Sequence, residues 1–114
     1  MSNFAPDINL VPGKKALVAA WKKANPGRTF SSFGPPAYGA TQVIMQAAKQ
    51  ACVKNKGTIT RQDVLRNIKS VKIDDWILGG GFAFSKKTND PLNGSFWLFQ
   101  IQSDGSQKQI AKLG

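Results

Sequence analysis

The stretch from Phe33 to Val53 constrains the fold of this chain more than any other. Its second half places Ala40, Ile44, Ala47, Ala48, Ala51 and Cys52 at three- and four-residue spacings, which a helix turns into one apolar stripe facing a core. Its first half carries Gly34 and the pair Pro35-Pro36. A proline has no amide to donate and disfavours helical geometry in the residue before it, so these residues predict a helix that begins after them, close to Tyr38. At such a start, unpaired amides and the positive end of the helix dipole favour a carboxylate or phosphate. Tyr38 therefore reads in two ways, as a ring lining a binding site or as a partly buried aromatic closing the core.

The rest of the chain is a single domain's length at most. Residues 1–13 lack any period and read as an irregular lead-in. From Lys14 to Ala24, Leu17, Ala20, Trp21 and Ala24 share a helical face while Lys14, Lys15, Lys22 and Lys23 form a wet basic back, and Asn25-Pro26-Gly27 ends the run. Thr60 and Asp63 have the spacing of a capping box, with Ile59 and Val64 placed for its hydrophobic staple, and Val64, Leu65, Ile68 and Val71 continue the apolar face. After Trp76 the period becomes two. Phe82 and Phe84 alternate with Ala83 and Ser85, and Phe96 to Gln102 is an aromatic strand followed by the turn Ser103-Asp104-Gly105-Ser106. The expected elements are helices at about 14–25, 38–54 and 60–70 and antiparallel strands at about 81–85, 96–102 and 107–111, a partial α+β piece. No series of Val- and Ile-rich strands, each followed by a helix, is present to build a complete parallel sheet.

Little chemistry is available for catalysis. The chain has no His and one Cys, so neither a zinc site nor a Cys-His nucleophile can be assembled, and no cofactor is expected. Gly79-Gly80-Gly81 precedes a strand rather than opening a helix, which is a bend rather than a phosphate loop. Asp74-Asp75 reads as a solvated turn. Sixteen Lys and Arg against six Asp leave a net charge of +10, and with Phe82, Phe84, Phe96, Trp97 and Phe99 on expected strands this composition allows a small basic nucleic-acid-binding module as the alternative function. The basic residues are scattered over helix backs, which makes nucleic acid the weaker reading.

Taken in order, Ala5-Pro6-Asp7, the Lys-rich helix, Phe33-Gly34-Pro35-Pro36-Ala37-Tyr38-Gly39-Ala40-Thr41-Gln42-Val43, Thr60-Arg61-Gln62-Asp63-Val64, Ile77-Leu78-Gly79-Gly80 and Phe99-Gln100-Ile101-Gln102-Ser103-Asp104-Gly105-Ser106 resemble the C-terminal third of branched-chain amino-acid binding proteins. These are substrate receptors of ABC importers with the two-lobed α/β, type I periplasmic-binding-protein fold. The resemblance implies that residues 1–94 complete the first lobe, with the third inter-lobe crossover at about 89–94, and that residues 95–114 supply terminal strands to the second lobe. It implies a non-enzymatic receptor with an amino acid or related small molecule as ligand and an ABC permease as partner. Tyr38 is placed at the cleft edge, with Phe33 and Pro36 as further candidates for the same wall. The parent would work in the periplasm or at the extracellular surface, although no signal peptide can be read here. The family's two preceding thirds are not in these residues, which implies a fragment that is not ligand-competent alone and whose bare apolar strands invite a homo-oligomer.

Overall fold

A computed structural model of the chain describes residues 2–4, 7–28, 30–92, 94 and 96–113, and the side chains of all of these except residues 2–4. Strand β1 (Ser2–Phe4) leads through a 3-10 turn (Ile8–Leu10) to three helices, α1 (Lys15–Ala24), α2 (Gly34–Lys54) and α3 (Arg61–Ile68). Four strands follow: β2 (Lys72–Ile73), β3 (Phe82–Ala83), β4 (Phe96–Ile101) and β5 (Gln107–Leu113). The arrangement is the expected partial α/β piece, three helices with antiparallel strands. Ala5 and Pro6 of the N-terminal motif, and Asn93 of the expected crossover, lie outside the described residues.

Three elements depart from the sequence reading. Helix α2 takes Gly34, Pro35 and Pro36 into its first turn instead of starting after them. First-turn amides have no partner within a helix, so a proline loses nothing there and its fixed φ suits the position. The lead-in contains β1, which pairs along β4 with Asn3 opposite Leu98. A three-residue strand is too short to show a period of two, and its long partner makes it a strand. The strand expected at 81–85 shrinks to Phe82–Ala83 against β2, and Phe84 forms only an isolated bridge with Pro91. The Ser85 amide already donates to Asp90 at 2.7 Å, turning the chain away. The β4–β5 hairpin forms as expected, its turn closed by the Ser106 amide donating to Asp104 and by Gly105 at φ 81°.

Two apolar clusters form the core. Ile8, Val11, Val18 and Ile77 make the first, and Val43, Ala47, Val71 and Phe82 the second. Trp76 packs against both and joins them. The stripe on α2 is centred on Pro35, Gly39, Val43, Ala47 and Ala51, so Ala47 and Ala51 are fully buried as expected, while Ala40 and Ile44 lie on its uncovered flank.

The capping box on α3 is complete, with the Asp63 amide donating to the Thr60 hydroxyl and the Thr60 amide donating to the Asp63 carboxylate. Hydrogen bonds from the Thr60 hydroxyl and amide hold the Asp63 carboxyl below the usual aspartate range. Because the folded pKa lies below the unfolded one, this contribution is fully present above about pH 4 and is lost as pH falls through the folded value. Thr60→Ala is expected to cost about 1 kcal/mol in urea unfolding at neutral pH. It should also flatten the loss of stability as pH falls below about 4, and an unchanged acid slope would contradict the assignment.

Candidate functional site

Two concavities flank the N-terminal half of α2. The first is a polar cavity of about 230 Å³ walled by Gly13, Lys14 and Leu17 at the start of α1, Tyr38 and Gln42 on α2, and Asp75 and Ile77 from the β2–β3 connection. Gly13, at φ 76°, turns the chain into α1 in a conformation that other residues rarely adopt. Lys14 follows at the helix N-cap, three and four residues before Leu17 and Val18, and so it lies on the face that meets the core. It is 9% exposed, the one charged residue buried among those described. Its ammonium donates to Asp75 Oδ1 at 2.5 Å, yet the two side chains differ sharply in exposure, 11% for Lys14 and 91% for Asp75. Gln42 stands one helical turn after Tyr38, and its Oε1 is covered without a partner among the described residues.

The second concavity is an open apolar groove of about 360 Å³ on another side of α2, lined by Pro36, Ala40, Val43 and Ile44 with Ile68, Trp76, Leu78, Phe82 and Phe84. The three residues expected to share one wall are therefore separated. Tyr38, half exposed, lines the polar cavity, Pro36 lines the apolar groove, and Phe33, 67% exposed, lines neither. Helical geometry accounts for the split, since positions two apart point about 200° from each other around the axis.

The electrostatic motive for Tyr38 needs correction as well. The start of α2 offers no row of open amides, because the Gly34 amide donates to Ser31 O at 3.0 Å, Pro35 and Pro36 have none, and the Ala37 amide donates to Phe33 O at 3.1 Å. Tyr38 sits in the second turn, so its role rests on the cavity it lines and not on a helix terminus.

Lys14, Gln42 and Asp75 were not apparent as site residues in the sequence, where Lys14 belonged to a wet helix back and Asp75 to a solvated turn. The usable signal was the spacing of Lys14 to Leu17 and Val18, which puts the ammonium's stem on the apolar face. The aromatics do not assemble a stacking platform for nucleic acid. Phe82 packs on Trp76 at 4.5 Å and on Phe84 at 4.8 Å, and Phe96, Trp97 and Phe99 belong to the other sheet.

A family model for periplasmic binding proteins matches residues 1–106. The chain belongs to the periplasmic binding protein family. Proteins of this family bind small-molecule ligands. No curated protein matches the chain. No helix among the described residues is long and apolar enough to cross a membrane.

Proposed function

We propose that this periplasmic binding protein is the non-enzymatic recognition part of an extracytoplasmic receptor that delivers amino acids or related small molecules, branched-chain amino acids among them, to an ABC importer. The family match over residues 1–106 carries this reading. In this reading Tyr38, which lines the polar cavity, is the ligand-facing aromatic.

In this reading the chain works as one part of a larger two-lobed body. It exposes 8381 Å², whereas a compact monomer of 12.3 kDa exposes about 6,100 Å². The surplus includes the apolar groove beside α2 and the outward faces of Phe96 and Ile101. On this reading residues 1–94 complete the first lobe, with the crossover at about 89–94, and residues 95–114 supply strands to the second; the pairing of β1 with β4 joins residues 2–4 to the sheet of β4 and β5 and supports counting those three residues with the second lobe instead. Closure of the lobes on the ligand is the mechanism, contacts from both sides favouring the closed state.

A receptor whose other walls come from elsewhere holds its ligand poorly by one wall. Calorimetry of the 114-residue chain with leucine, valine and a broad amino-acid panel is expected to give no micromolar binding. A micromolar isotherm for any of them would overturn the one-part reading.

A further inference from the structure

We infer that the Lys14–Asp75 pair is an exchange latch, in which a small carboxylate ligand takes the place of the Asp75 carboxylate on the Lys14 ammonium. The inference rests on the solute-receptor reading and names the ligand chemistry of its polar cavity. The asymmetry of the pair carries it. The Lys14 side chain is 11% exposed and walls the cavity, so its charge needs a counter-ion where it stands. The Asp75 side chain is 91% exposed, so its carboxylate can turn outward and regain water at little cost. One anion enters as another leaves, and the cavity keeps its charge balance throughout. A neutral ligand cannot make this exchange, because it would leave Lys14 buried without a counter-ion.

The remaining walls describe the rest of the ligand. Leu17, Ile77 and the Tyr38 ring offer contact to a short apolar body, and about 230 Å³ is room for a small molecule only. The protein's net charge of +10 favours the approach of an anion over that of a cation or zwitterion. A simple aliphatic carboxylate, with its net negative charge, is therefore drawn to the cavity more strongly than its zwitterionic 2-amino counterpart.

The test is an NMR titration of the full chain, reading the Leu17 and Ile77 methyl signals, with 4-methylpentanoate, leucine and 4-methylpentanamide as probes at up to about 50 mM, a range suited to millimolar dissociation constants. The carboxylate is expected to shift these signals saturably, leucine less, and the neutral amide not at all. Asp75→Asn strips Lys14 of its counter-ion and is expected to lower stability, so its fold is checked by far-UV circular dichroism; in the folded variant carboxylate binding should tighten about two- to fivefold because the internal competitor is gone. Lys14→Met should abolish the response. Equal binding of the amide, or weaker carboxylate binding in Asp75→Asn, overturns the exchange. Silence from all three probes also overturns it and leaves the receptor reading standing, since that reading expects no tight binding by these residues alone.

Discussion

Phe82→Ala is expected to lower the stability of the chain by about 3 kcal/mol, the low end of the range for removing a buried phenylalanine. Phe82 is 8% exposed and packs its ring on Trp76 and on Phe84 within the second apolar cluster. Truncation removes the transfer free energy of the ring and both aromatic contacts. It also leaves a space beside Trp76, the residue that joins the two clusters. The low end applies because Phe82 borders the open groove, where water can enter the space instead of leaving it empty. Urea unfolding followed by far-UV circular dichroism measures the loss. A cost under about 1 kcal/mol would mean that the Trp76, Phe82 and Phe84 rings are not packed as described.

Gly39→Ala sets two effects of opposite sign against each other. In the interior of a helix, alanine is favoured over glycine by about 0.5–1 kcal/mol. At this position, however, an added Cβ would meet the Trp76 ring at 2.5 Å and 2.6 Å and the Ile77 side chain at 3.2 Å. Trp76 is restrained on its packed side, where the Phe82 ring lies against it and both clusters touch it, although its other side borders the open groove. Forcing an extra methyl into a packed core costs about 1–3 kcal/mol, which outweighs the propensity gain. The variant is expected to be destabilised by about 1–2 kcal/mol net, with a changed near-ultraviolet tryptophan signal as the ring is displaced. A more stable Gly39→Ala would show that α2 stands farther from Trp76.

How much of this could be read beforehand depended on the distance along the chain over which each interaction acts. The Thr60–Asp63 capping box was legible because both partners lie within one helical turn. The α2 stripe was half legible. Ala47 and Ala51 are buried, but Ile44 is 51% exposed, since spacing shows which residues share a face and not whether anything covers it. Gly39 carried no hydrophobic signal at all, because its importance comes from a tryptophan on another element. The same holds for the candidate site. Tyr38 was legible as an aromatic near a turn, whereas Lys14 and Asp75 stand 61 residues apart and only the fold brings them together. Pro36 and Tyr38 line different concavities because α2 already turns through Pro36, and that dependence on the helix start could not be read from two adjacent prolines.

The first turn of α2 has a kinetic consequence. Ordering the first few residues of a helix is its most costly step, because several torsions are fixed for a single hydrogen bond. Pro35 and Pro36 stand in that turn with φ already restricted in the unfolded chain. Part of the nucleation penalty for the longest helix is thus met by the covalent structure before folding starts, and growth toward Lys54 is favoured from that end.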